Sequence, residues 1–128
     1  MTFARDLKNQ LVEKIALPLA VYTGDQATPT GVDMINGDGL CNVAVYLGTI
    51  HADTLGTVTV EESDDNTTFS AVTLTGGATL TYTGADDATI LRGTFQRTKR
   101  YVRTPLASSG STESAGVCVV VAQQKKVL

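Results

Sequence analysis

Apolar and polar positions alternate in short runs along most of this chain, and clusters of Gly, Asp, Asn and Ser punctuate them. A two-residue period broken by turn residues is the signature of short, half-buried strands. The pattern predicts strands at residues 19–23, 31–35, 40–47, 57–62, 68–74, 78–83, 89–95, 99–106 and 117–122. Residues 40–47 are apolar almost throughout and suit a central strand covered on both faces. In residues 57–62, Val58 and Val60 fall on one face. Turns are expected at Gly24-Asp25, Asn36-Gly37-Asp38-Gly39, Ser63-Asp64-Asp65-Asn66, Gly76-Gly77 and Gly84-Ala85-Asp86-Asp87. Residues 107–114 read as a flexible Ser/Gly tip. About eight or nine strands at this spacing predict an all-β sandwich, jelly-roll-like or Ig-like.

The N-terminal stretch has a different rhythm. Phe3, Leu7, Leu11 and Ile15 recur every four residues among charged neighbours, which is helical spacing. The expectation is an arm or short helix over residues 1–16, packed on its own domain or docked on a neighbouring subunit. Pro18 ends any helix near Ala16. The β-sandwich then occupies residues 17–122, and residues 123–128 form a polar tail.

With 128 residues, the chain has room for one domain with a core that needs no metal or disulfide staple. A hydrophobic fraction of 42% argues against disorder. The longest apolar run, residues 117–122, is far short of the roughly twenty residues of a membrane-spanning helix, so no membrane partner is expected. The apolar stretch at residues 15–21 is short and interrupted by Pro18, so the chain reads as unprocessed and made in a reducing cytoplasm. A net charge of −3 argues against nucleic acid as a partner. Two cysteines cannot build a disulfide scaffold or a four-ligand zinc site. Cys41 and Cys118 both sit in apolar strands and read as buried free thiols, with a disulfide between them the lesser alternative.

Charge is segregated along the sequence. Between Lys14 and Arg92 every charged side chain is Asp or Glu, whereas Arg92, Arg97, Lys99, Arg100 and Arg103 fall close together with no acid among them. These five cations either pair with neighbouring strands or meet an acidic surface on a partner or another copy. With Phe3, Leu7 and Leu11 of the N-terminal arm, they are the candidate interface residues.

Nothing in the sequence suggests catalysis, a metal or a cofactor. Asp64-Asp65-Asn66 lacks the ligand spacing and closing Glu of a calcium loop. Glu61 and Glu62 point to opposite faces of a strand and cannot flank one scissile bond. His51, the single histidine, lies beside Asp53 in a loop, and the serines at 108, 109 and 111 have no nucleophile-elbow context.

Several segments carry a resemblance when taken in order. Residues 16–23 (A-L-P-L-A-V-Y-T) lead to Gly31-Val32-Asp33-Met34, then Gly48-Thr49-Ile50, then residues 58–69 with the E-S-D-D-N-T-T-F hairpin, then K-R-Y-V-R at 99–103. This order resembles small tailed-bacteriophage virion proteins associated with the head, over roughly residues 16–121. The resemblance implies a capsid decoration (cement) protein or another head-associated structural protein. It would bind the major capsid protein at the virion surface, as a dimer or trimer of itself. The rivals are a tail, neck or fibre-base component and a carbohydrate-binding β-sandwich. The absence of Trp and the small number of Tyr count against the latter.

Overall fold

The computed structural model describes residues 11–125. Its long strands are β1 (Leu11–Tyr22), β3 (Gly37–Ile50), β8 (Ile90–Gln96) and β11 (Ala115–Lys125). The shorter ones are β2 (Val32–Asp33), β4 (Leu55–Val58), β5 (Val60–Ser63), β6 (Ser70–Val72), β7 (Leu80–Thr83), β9 (Tyr101–Arg103) and β10 (Leu106–Ser109). All pairings are antiparallel. The long strands form one sheet in the order β1-β11-β3-β8, and the short ones form two, β10-β4-β7 and β2-β9-β5-β6.

The two small sheets lie end to end as one layer. Only Thr59 separates β4 from β5, and only Thr104-Pro105 separates β9 from β10. The Thr59 amide donates to the Pro105 carbonyl at 3.0 Å and bridges both breaks. Proline has no amide to give the ladder, so the hydrogen-bonded pairing is interrupted there while the register carries on from Arg103–Glu61 to Leu106–Val58. Val43, Val45, Phe95, Val117, Val119 and Val121 of the large sheet share one core with Val58, Val60, Leu80, Tyr82, Val102 and Leu106 of the other layer. All are buried. The expected β-sandwich is therefore the observed architecture.

Three local expectations need correction. Leu11 and Ile15 lie in β1, so no helix occupies residues 11–16 and the sandwich begins before residue 17; Phe3 and Leu7 lie outside the described residues. A spacing of four residues fits a strand as well as a helix, because it is a multiple of two. β1 accommodates Pro18 as an edge strand with register shifts between Ile15 and Leu17 and between Leu17 and Ala20. These shifts turn consecutive Ala16 and Leu17 both into the core. Second, residues 107–109 are not a flexible tip but part of β10, held by β4 and by the Ser108 amide donating to Asp25 at 2.7 Å. Third, β11 continues to Lys125, so the sheet takes in the first residues of the expected tail. Gly37 and Gly39 likewise belong to β3, which leaves the turn before it tighter than the Asn-Gly-Asp-Gly signal suggests.

Candidate functional site

The basic cluster is mostly engaged within the chain. Arg103 on β9 stands opposite Glu61 on β5, and its Nε donates to Glu61 Oε1 at 2.6 Å while the guanidinium lies 4.0 Å from the Phe69 ring centroid. Arg100 grips Asp33 with two parallel bonds, Nε to Oδ1 at 3.0 Å and Nη2 to Oδ2 at 2.7 Å. That pairing holds the Asp33 carboxyl below its usual range. Arg97 turns inward: Nη1 donates to the Lys99 carbonyl at 2.9 Å, Nη2 to the Gly37 carbonyl at 3.3 Å, and Nε to Gln123 Oε1 at 3.4 Å. Lys99 Nζ reaches the Ser70 hydroxyl at 3.3 Å. Arg100 and Arg103 are thus ion-paired within the chain, whereas Arg97 and Lys99 are hydrogen-bonded to neutral acceptors. Arg92 is apart from them, exposed on β8.

Two buried polar side chains fasten this end of the sandwich. Glu62, 8% exposed, accepts from the Thr98 amide (3.0 Å), the Thr98 hydroxyl (2.6 Å) and the Lys99 amide (3.3 Å). Gln123, 2% exposed, donates to the Met34 carbonyl and accepts from the Gly39 amide at 3.2 Å. Glu61 and Glu62 face opposite ways, as strand alternation requires, and each carboxylate is committed to holding backbone or a cation.

The Ser63–Thr68 turn is built as its sequence predicts. Asp65 Oδ1 accepts from the amides of Thr67 and Thr68, both at 2.9 Å, and from the Ser63 hydroxyl at 2.8 Å. Those donors pull the Asp65 pKa down to about 2. Asn66 takes the left-handed conformation at φ 60°.

One cluster joins groups the sequence keeps apart. His51 Nδ1 lies 2.5 Å from Asp53 Oδ1, while Asp53 Oδ2 accepts from the Ser111 hydroxyl at 2.6 Å and the Thr112 amide at 2.8 Å. The Ser111 and Thr112 donors lower the Asp53 pKa to about 2. The serine is bonded to the carboxylate and not to the imidazole. A nucleophile needs its proton taken by the base, so this geometry staples two loops and does not activate Ser111. Among the described residues, no group of three or more His, Cys, Asp or Glu is placed to hold a metal ion, and no helix is long and apolar enough to cross a membrane.

The outer face of the large sheet carries the unexpected feature. Ile15, Leu40, Tyr46 and Ile90 are exposed there, and Val120, Ala122 and Cys118 are half-buried. A groove of about 410 Å³ crosses this face, lined by Leu11, Leu40, Ala44, Tyr46, Val120 and Ala122 among apolar residues and by Glu13, Asn42, Arg92 and Thr94 among polar ones. Of the candidate interface residues, Leu11 and Arg92 therefore lie on one surface, at its opposite edges. Sequence reading misses this face because its members come from four strands far apart in the chain. The one local signal is that β3 and β11 are apolar on both alternations.

The same sheet separates the cysteines. Cys41 is buried on the inner face, and burial pushes its thiol up to about 11. Cys118 is half-buried beside Tyr46 on the outer face. Both are free, and Cys41 is paired in register with Gln123, not with Cys118.

No protein-family model matches the chain, and no curated protein matches it either. Solved structures align with the chain, one of them closely enough to share the fold. An endo-1,4-beta-D-xylanase from Clostridium thermocellum, comprising CBM22-1 and GH10 modules complexed with xylohexaose, aligns with TM-score 0.51 at 8% identity, over 94% of this chain and 27% of that one. The CBM22-1 xylan-binding domain of Paenibacillus barcinonensis aligns with TM-score 0.46 at 13% identity, over 92% of this chain and 83% of that one. The infectious bursal disease virus VP2 subviral particle aligns with TM-score 0.48 at 14% identity, over 90% of this chain and 33% of that one. This chain spans 31% of the length of the first two structures matched, both of that virus. The neighbours thus include viral capsid proteins and carbohydrate-binding sandwiches.

Proposed function

We propose that this chain is a non-catalytic structural protein of a bacteriophage virion, a capsid decoration protein that binds the major capsid protein and stabilises the shell through buried area. The observation that carries the reading is the mismatch at β3 and β11. Their near-continuous apolar sequences are those of strands covered on both faces, yet among the described residues only the inner face is covered. A protein partner, or several, completes such a surface. The order of the E-S-D-D-N-T-T-F hairpin and the K-R-Y-V-R strand supports a head-associated virion protein in particular, through its resemblance to that group. Weak contacts suffice for shell stabilisation when a decoration protein engages several capsid subunits at once.

The test is cryo-EM of purified particles with copy counting. A decoration protein gives density on the head surface at hundreds of copies, whereas a tail, neck or fibre-base component gives about six to a few dozen, by symmetry. Particles lacking the protein overturn the reading.

A second reading, a carbohydrate-binding module, is favoured by one observation. Tyr46, 39% exposed, borders the groove beside Asn42, Arg92 and Thr94. An aromatic face beside hydrogen-bonding side chains can seat a sugar ring. Titration with xylohexaose separates the two readings: measurable heat that Tyr46→Ala abolishes selects the glycan, and no heat selects the protein partner.

A further inference from the structure

We propose that the outer face of the β1-β11-β3-β8 sheet is a seam between two copies of this chain, related by a twofold axis running along the strands between β11 and β3. The inference rests on the reading of this face as protein-covered and names what covers it. Register fixes the rows of side chains across the sheet. Ile15 lies opposite Val120, Val120 opposite Ala44, and Ala44 opposite Arg92. The adjacent row begins with Glu13 on β1, and the row on the other side contains Cys118 and Tyr46.

Across these three rows the only charged side chains are Glu13 and Arg92. They sit on opposite edge strands of the sheet. Three strand spacings separate β1 from β8, about 14 Å, too far for the two to meet within one molecule. Neither makes an ion pair among the described residues. The twofold operation lays β8 of one copy over β1 of the other at the same level along the strands. Each Glu13 then comes within one row of Arg92 of the second copy, and symmetry makes the pair twice. The same operation sets Val120 against Ala44 and Cys118 against Tyr46, apolar on apolar, and lays the Arg92 stem over Ile15 and Glu13 over Thr94, so the ion pair spans one row. One surface is thus complementary to itself in charge and in hydrophobicity, as a twofold contact demands.

Sedimentation velocity of the full chain across a concentration series tests the seam. The wild type dimerises, Glu13→Arg or Arg92→Glu alone weakens the dimer at least about tenfold, and the double reversal Glu13→Arg/Arg92→Glu restores it. Both positions are exposed, and thermal melting checks that each variant remains folded. A wild type that stays monomeric up to about millimolar concentration, as it would if residues 1–10 or the capsid protein alone covered the face, overturns the proposal. So does a double variant no better than the singles. A charge-dependent dimer that never appears on particles keeps the seam and rejects the virion reading, so the two fail separately.

Discussion

The two layers of this sandwich handle their outer surfaces in opposite ways. On the β2-β9-β5-β6 layer, charge is abundant but closed upon itself: Arg103 with Glu61, Arg100 with Asp33, and Glu62 with the 98–99 backbone. On the β1-β11-β3-β8 layer, charge is scarce and the apolar surface is open. The contrast teaches that a conspicuous run of cations need not mark an open surface. An exposed ion pair is already near its energetic optimum in water, whereas an exposed sheet face of Ile, Leu, Val and Tyr gains roughly 25 cal/mol for each Å² removed from water.

The comparison breaks most sharply at two adjacent residues of β11. Val119 faces the core and Val120 the outer surface. Val119→Asp buries an unpaired carboxylate and should cost several kcal/mol, enough to abolish the cooperative melt. Val120→Asp should leave the melting temperature within a few degrees while abolishing self-association and particle attachment. Equal melting temperatures for the two variants would show that the layers do not divide in this way.

On the charged layer, the effects are graded by burial. Glu62→Ala leaves two amides and a hydroxyl without their acceptor and should destabilise by about 2–3 kcal/mol in chemical denaturation. Arg103→Ala, which loses a half-buried ion pair and a cation–π contact, should cost about 1–2 kcal/mol. Arg100→Ala, at an exposed pair, should stay within about 0.5 kcal/mol. An Arg100 effect larger than that of Arg103 would mean that Arg100 meets something outside the chain.

The smallest expected effect concerns pH. Asp65 has a depressed folded value near 2 against an ordinary carboxyl value of about 4. Its contribution to the hairpin is therefore complete above pH 4 and is lost as pH falls through about 2. The Thr67 and Thr68 amide resonances should shift together over that window. A midpoint near pH 4 would show that the carboxylate does not hold the turn.

Much of this was legible in the sequence, and what was not has physical reasons. The sandwich, the Asp65 turn and the burial of Cys41 follow from local alternation and turn chemistry. The register partner of Arg103 does not, because Glu61 lies 42 residues away. The N-terminal strand was hidden because Leu11 and Ile15 satisfy both periods. β10 was hidden because Ser108 and Ser109 carry no apolar alternation; backbone pairing with β4 holds them instead. The open face is assembled only by cross-strand register, although its trace, the apolar run at residues 40–47, predicted a covering that this chain's described residues do not supply.

The two free thiols offer the most direct test of that missing cover, one on each face of the same sheet. Partial burial raises the Cys118 thiol above its ordinary pKa, so alkylation at alkaline pH should outpace that of Cys41 in dilute isolated protein and slow by at least about tenfold in purified particles, with Cys41 slow in both. Equally fast Cys118 alkylation in the two states would mean that the outer face stays bare, and would contradict the account.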